Sequence, residues 1–124
     1  MDYKYSFEKL EVWQDSRQFV SFIYKLTNHF PETEKYSLSK QIQHAAISIV
    51  SNIAEGTSRG SIKDKIRFIE IAYGSLLETY CQLIISCDLN YISEKQMQET
   101  KQIIDKISNK LNALKRSYEN KLNA

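Results

Sequence analysis

The chain has 124 residues, of which 42% are hydrophobic, and it contains only three glycines and one proline. This length predicts one domain over residues 1–124, and the scarcity of turn-forming residues favours a few long elements. The formal net charge is +2, which argues against a uniformly basic polyanion-binding protein. Any nucleic-acid contact must therefore depend on a local patch or on assembly of several copies.

The sequence carries no pattern typical of a membrane or secreted protein. No stretch approaches the roughly 20 consecutive apolar residues that a membrane-spanning helix needs. The segment from Met1 to Ser6 is polar and aromatic and lacks the apolar run of a signal peptide. We therefore expect a cytoplasmic protein without a membrane partner.

Apolar residues recur at helical spacing in four segments. These predicted helices cover residues 7–29, 37–58, 61–88 and 94–120. Pro31 ends the first segment, and Gly56 and Gly60 mark the end of the second. Serines are expected to cap the N-termini of the later three segments: Ser37 or Ser39 for the second, Ser61 for the third and Ser93 for the fourth. Four helices with three short connections predict an all-α fold, an antiparallel up-down-up-down four-helix bundle.

The third predicted helix is apolar over an unusually wide surface. One heptad-like row is formed by Ile62, Ile66, Ile69, Tyr73, Leu76, Tyr80, Leu83 and Cys87. A second row is formed by Phe68, Ala72, Leu77 and Ile84. Because a helix that is apolar on two faces is normally covered on both, we expect it to be central to the bundle or to form an oligomer contact as well.

The sequence offers little that predicts catalysis or cofactor binding. His29 and His44 do not follow a glutamate by three residues, as the histidines of di-iron bundles do. Cys81 and Cys87 have no basic residue at helical spacing on the same face, and we interpret them as buried small hydrophobes. Phosphate-binding glycine loops and nucleophile elbows are also absent from the sequence. We expect no enzyme activity, no cofactor, no metal and no small-molecule substrate.

A polar group stands at the end of the apolar second helix. Glu55 and Arg59 are four residues apart, in the favourable orientation for an ion pair. The favoured interpretation is a structural cluster of Asn52, Glu55 and Arg59 where two helices meet. Two alternatives stay open: an interaction surface, or acid–base chemistry that pairs Glu55 with Glu78.

Basic residues concentrate in the turn that follows. Arg59, Lys63, Lys65 and Arg67, which we call the basic rim, stand against a single acidic residue, Asp64. One interpretation is a solvated helix surface, and the other is a site for nucleic-acid phosphates whose affinity falls with salt. The sequence leaves both open.

An ordered set of short motifs resembles a known family. In chain order the motifs are Leu10-Glu11-Val12-Trp13, Phe30-Pro31 with Glu34, Leu38 with Gln41-Ile42, Ala46 with Ser48-Ile49, and Asn52-Ile53-Ala54-Glu55-Gly56, followed by Arg59, Phe68, Ala72, Gly74-Ser75 and Glu78. Over about residues 7–118, the chain resembles the bacterial 23S rRNA intervening-sequence proteins. It is also similar to the accessory variability protein of diversity-generating retroelements, a pentameric barrel with a basic surface that assists a reverse transcriptase through protein and RNA contacts.

The resemblance implies an antiparallel four-helix bundle that forms a homo-oligomer, with a pentamer as the expected stoichiometry. The family-motif positions that it implies here are Asn52, Glu55, Gly56, Arg59, Gly74, Ser75 and Glu78. Gly74 and Ser75 inside a helix fit the close approach of another helix or subunit, because an internal glycine otherwise weakens a helix. The resulting hypothesis is a non-enzymatic scaffold that contacts RNA or an RNA-handling partner through the basic rim. The alternative is a protein–protein adaptor that binds no nucleic acid.

Overall fold

The computed structural model describes residues 3–124 and contains four α-helices in that range. They are α1 (Glu11–Thr27), α2 (Leu38–Thr57), α3 (Ile62–Asp88) and α4 (Glu94–Leu122). Strands are absent from residues 3–124, which confirms the prediction of an all-α fold. Met1 and Asp2, which belong to the predicted domain and N-terminal segment, lie outside the described residues.

Side-chain pairs between neighbouring helices show the antiparallel arrangement. From α2 to α3, Gln41 pairs with Gln82 and Ser48 pairs with Ser75, so numbers rise along one helix as they fall along the other. The same reversal relates α1 to α4 and α3 to α4, through the pairs Glu11–Lys110, Asp15–Lys106, Glu70–Lys115 and Tyr73–Ser108. The bundle is therefore a closed ring in which α4 returns to α1.

The core is built from the inward stripe of each helix. Its fully enclosed large side chains include Phe19, Ile23, Ile42, Ile49, Ile53, Ile69, Leu76, Leu83, Ile107 and Leu111. Each buried aliphatic or aromatic side chain contributes about 1.5–3 kcal/mol relative to its exposed form. This burial supplies the main stabilisation of the bundle, and the polar caps and ion pairs position its ends.

The first helix begins later than the predicted bound of residue 7. Residues Ser6–Lys9 form a separate 3-10 helix, and Leu10 is extended, with ψ 123°. The Phe7 ring packs edge-on against Trp13, with the ring centroids 4.9 Å apart. Gln14 also donates a hydrogen bond from its amide to the Glu8 carbonyl, 2.8 Å away. These contacts fold the N-terminal segment back against the start of α1.

Two of the predicted serine caps are confirmed. The Ser61 hydroxyl accepts a hydrogen bond from the Asp64 amide at 3.1 Å, and Ser93 forms a capping box with Gln96. The predicted cap of α2 is wrong, because the Ser37 hydroxyl donates to the Glu34 carboxylate instead, at 2.6 Å. Ser39 lies inside α2 and is buried.

The α1–α2 connection is tied to the α3–α4 turn through Glu34. Its carboxylate accepts hydrogen bonds from the Ser37 hydroxyl and from the Tyr91 hydroxyl, the latter at 2.8 Å. These bonds hold the pKa of Glu34 below its usual value, because they favour the ionised form. The Tyr91 ring also lies 5.4 Å from the Phe30 ring, so this end of the bundle is closed by polar and aromatic contacts together.

Helices α2 and α3 approach each other closely at the end of α2. A Cβ atom added to Gly56 would lie 2.9 Å from Phe68 Cβ and 3.5 Å from the Lys65 carbonyl oxygen. Cβ of Phe68 is fixed to its backbone and cannot rotate away. Only glycine therefore lets α3 pack against α2 at this distance.

Replacement of Gly56 by alanine should destabilise the protein. Overpacking of a tight contact costs about 1–3 kcal/mol, and the better helix propensity of alanine offsets at most about 1 kcal/mol of it. We expect Gly56→Ala to lower the free energy of unfolding in urea by about 1–2 kcal/mol. Gly60→Ala is the matched control, since nothing lies within 4 Å of its added methyl group. Equal stability of the two variants would contradict the proposed steric role of Gly56.

Candidate interaction surfaces at the α2–α3 turn and on α3

The predicted ion pair at the end of α2 is present. Arg59 donates a hydrogen bond from its guanidinium to the Glu55 carboxylate at 2.6 Å. The same guanidinium lies over the Phe68 ring, 4.5 Å from its centroid, and Arg67 approaches that ring to 4.9 Å. Two guanidinium groups of the basic rim thus contact the Phe68 ring through favourable cation–π interactions.

Asn52 does not join this cluster, which corrects the predicted group of three. Its side-chain amide donates to the carbonyl and hydroxyl oxygens of Ser48, at 2.8 and 3.0 Å. The Ser48 hydroxyl is in turn 2.8 Å from the hydroxyl of Ser75 on α3. Asn52 and Ser75 are therefore parts of one hydrogen-bonded contact between α2 and α3, separate from the Glu55–Arg59 pair.

Lys65 has a structural role within the basic rim. Its ammonium group donates to the Thr57 carbonyl, 2.9 Å away, at the C-terminus of α2. It also lies 5.9 Å from the centre of the Tyr118 ring on α4. A cation at this position satisfies a terminal carbonyl and favours the negative end of the helix dipole. Lys65 therefore joins three helices and is less available to a ligand than its neighbours.

Lys63 and Arg67 are the exposed cations of the basic rim. They are four residues apart, so they lie next to each other on the surface of α3. Arg59 joins them through Phe68, since the guanidinium groups of Arg59 and Arg67 contact the same ring. The three cations form a compact basic surface that can bind phosphate groups electrostatically.

The two carboxylates weighed for acid–base chemistry lie in solvent-exposed positions. Glu55 is paired with Arg59, and Glu78 accepts a long hydrogen bond of 3.3 Å from the Gln82 amide. Within residues 3–124, no group of three or more His, Cys, Asp or Glu side chains is placed to hold a metal ion. No helix in that same range has the length and apolar character that would let it cross a membrane.

The surface of α3 that faces away from the other helices is rich in apolar side chains. We call the following exposed residues the α3 outer face: Glu70, Ile71, Gly74, Leu77, Glu78, Cys81, Ile84, Ile85 and Asp88. Leu77 and Ile84, predicted to widen the buried surface, are 48% and 41% exposed. Cys81, predicted to be buried, is exposed as well. Ile71 and Ile85, which are absent from the two predicted apolar rows, also lie on this face, as their helical spacing from Glu78 indicates.

Within residues 3–124 no other helix closely approaches Gly74, so of the two expectations for this residue, approach of a helix or of a subunit, only the second stays open. A Cβ atom added there would have no neighbour within 4 Å. Ser75, the next residue, is buried and contacts Ser48. The contact between α2 and α3 therefore explains a small polar residue at position 75. Within the described residues, no helix contact explains a glycine at position 74.

Comparison with known sequences decides the family. The 23S rRNA-intervening sequence protein family matches residues 8–113. The chain belongs to this family. No curated protein matches the sequence significantly.

A solved structure with a similar sequence has the same fold. It is a protein of unknown function from the S23 ribosomal protein family of Bacteroides thetaiotaomicron, with 27% sequence identity and a TM-score of 0.74. The alignment covers 83% of this chain and 96% of that one. The four-helix bundle is therefore shared over nearly the whole of the similar structure.

Substitutions within the basic rim should distinguish its structural cation, Lys65, from an exposed cation, Lys63. Lys65→Met removes the hydrogen bond to Thr57 and should lower the free energy of unfolding by about 1 kcal/mol. Lys63→Met removes the same charge two residues earlier and should change stability by less than about 0.5 kcal/mol. Urea unfolding of both variants makes the comparison, and a larger loss for Lys63→Met would show that the role of Lys65 is misassigned.

Proposed function

We propose that this 23S rRNA-intervening sequence family protein is a non-enzymatic, homo-oligomeric scaffold of the cytoplasm that contacts RNA through its basic rim. The observation that carries this proposal is the α3 outer face, an apolar surface without a partner inside the described chain. The basic surface formed by Arg59, Lys63 and Arg67 lies at the N-terminal end of the same helix. Assembly would therefore repeat that surface around an oligomer.

The α3 outer face supports contact with a second copy of this chain. Contiguous apolar patches on soluble monomers are usually small, and larger ones commonly mark interaction sites. Acidic residues accompany the apolar ones here, namely Glu70, Glu78 and Asp88. Exposed cations such as Lys101 and Arg116 on α4 lie outside this face, so an acidic and apolar face of one copy would complement a different, basic face of the next. Such head-to-tail contacts form a ring when the rotation between successive copies closes.

Gly74 is a second argument that the α3 outer face contacts another copy of the chain. Glycine inside a helix costs about 1 kcal/mol relative to alanine, and no contact among residues 3–124 explains Gly74. A missing side chain in the middle of an exposed apolar face allows the backbone of another copy to approach. The pentameric stoichiometry is an expectation that rests only on the predicted likeness to the retroelement accessory protein, and both stay predictions.

The RNA part of the proposal depends on three cations. Lys63 and Arg67 are exposed, and Arg59 keeps part of its guanidinium accessible beside Phe68. Phosphate binding to such a small basic surface is weak for one copy. Repetition of the surface in an oligomer raises the effective affinity without new contacts.

Charges placed on the α3 outer face should disrupt assembly. We expect the double variant Leu77→Glu/Ile84→Glu to elute as a monomer in size-exclusion chromatography with light scattering, at concentrations where the wild type is oligomeric. Circular dichroism should show an intact helical fold, because both side chains are exposed in the monomer. Leu122→Glu, at a 43% exposed leucine near the end of α4, is the control and should assemble normally. A wild type that is monomeric at tens of micromolar excludes the homo-oligomer.

Removal of the exposed cations should weaken RNA binding. The probe is a structured fragment of 23S ribosomal RNA, titrated by filter binding at several salt concentrations. For Lys63→Ala/Arg67→Ala we expect at least about tenfold weaker binding at low salt, since charged hydrogen bonds contribute about 1.5–3 kcal/mol each. The slope of log affinity against log salt should fall by about two.

The matched control is Lys25→Ala/Lys95→Ala, which removes the same charge at the other end of the bundle. It should bind the RNA like the wild type. Absence of binding at low salt, or equal losses in both double variants, excludes the basic rim as an RNA site. Intact assembly without RNA binding would favour the adaptor alternative, in which the bundle contacts proteins only.

A further inference from the structure

A groove between α1 and α2 is a second exposed apolar feature of the bundle. It has a volume of about 290 Å³, and three aliphatic side chains from the two helices form its walls. One of them, Ile47, is 39% exposed, whereas the other aliphatic residues of α2 are covered at least in part. We call the following lining residues the α1–α2 groove: Arg17, Val20, Ser21, Ile47, Val50 and Ser51.

The charges beside this groove are positive. Arg17 lines the groove, and Lys40 lines the hollow that follows it between the same two helices. Neither cation forms an ion pair among residues 3–124. The acidic residues of α1 and α2, namely Glu11, Asp15 and Glu55, are all held in ion pairs already. The outer surface of these two helices therefore carries uncompensated positive charge.

The α3 outer face carries the opposite charge. Glu78 and Asp88 lie on it without an ion pair in the described part of the chain, and Glu70 reaches Lys115 at 3.3 Å. Two α3 outer faces packed against each other would bring these carboxylates together, and like charges across an interface weaken binding. A symmetrical contact through α3 alone is therefore disfavoured, and the face requires a partner surface that is both apolar and basic.

The outer surface of α4 does not meet that requirement. It has exposed cations such as Arg116, but Leu122 is the sole large hydrophobic side chain exposed among residues 94–122. The α1–α2 groove has aliphatic walls, and Tyr24, one turn further along α1, is 43% exposed. Among the outer surfaces of the helices, the groove therefore matches the α3 outer face in both polarity and charge.

We propose that the α3 outer face of one copy docks into the α1–α2 groove of the next copy, which presupposes the homo-oligomer proposed above. The exposed aliphatic side chains of α3 pack against the walls of the groove. Glu78 and Asp88 stand about 15 Å apart along α3. They face Arg17 and Lys40, which lie towards opposite ends of the α1–α2 surface.

The positions of the two surfaces on the bundle suit a ring. Helix α2 packs against both α1 and α3, so the groove and the α3 outer face lie on two sides that are not opposite each other. Each copy is therefore rotated relative to the previous one, as a closed ring requires. Neither surface includes Lys63 or Arg67, so the docking leaves both cations of the basic rim outside the contact.

Acidic substitutions in the groove test the docking. We expect Ile47→Glu/Ser51→Glu to sediment as a monomer at concentrations where the wild type is oligomeric. Its helical circular dichroism should be unchanged, because both side chains are exposed. Asn109→Glu/Ala113→Glu is the matched control, since it adds the same charge at the same spacing on exposed positions of α4, and it should assemble normally.

The outcomes separate this docking from the homo-oligomer itself. If the groove variant assembles like the wild type, the docking is overturned and the homo-oligomer stands. If the wild type is a monomer, the homo-oligomer is excluded and the docking with it.

A mixing experiment tests whether the two surfaces are partners. The groove variant keeps its α3 outer face, and Leu77→Glu/Ile84→Glu keeps its groove. An equimolar, concentrated mixture should therefore form a one-to-one dimer, although each variant alone is a monomer. A mixture that stays monomeric overturns the pairing of these two surfaces.

Charge reversal tests the ion pairs across the contact. Arg17→Glu/Lys40→Glu should weaken self-association at least about tenfold, since like charges then face each other. Addition of Glu78→Lys/Asp88→Lys to the same chain should restore most of the loss, because the charges are then exchanged between the two surfaces. Failure of this restoration in a chain with normal helical circular dichroism excludes the proposed arrangement.

Discussion

The close contact between α2 and α3 is the constraint on which the rest of the structure depends. Gly56 leaves room for the Cβ atom of Phe68, and the aromatic ring is then held at the edge of the two helices. Arg59 and Arg67 take their positions from that ring. The basic rim is therefore a consequence of helix packing, since the helix contact decides which cations stand together and which way they face.

Much of the fold could be predicted because it depends on local patterns. Apolar periodicity located four helices, and Ser61 and Ser93 carried the signals of helix caps. Predictions failed where two local partners compete. Asn52 is three residues from Glu55 and four from Ser48, and its amide bonds to Ser48. The bond from Lys65 to the terminal carbonyl of α2 depends on how the turn folds, so no sequence spacing could have indicated it.

The α3 outer face shows a limit of periodicity arguments. In a closed ring of four helices each helix packs against two neighbours, so about half of its circumference stays uncovered. A pattern that is apolar on several faces cannot indicate which face is left outside. The neighbours of α3 cover the side of Phe68, Ala72 and Leu76, and this leaves Leu77 and Ile84 in solvent. The extra apolar residues of α3 are therefore more than the core of one chain needs.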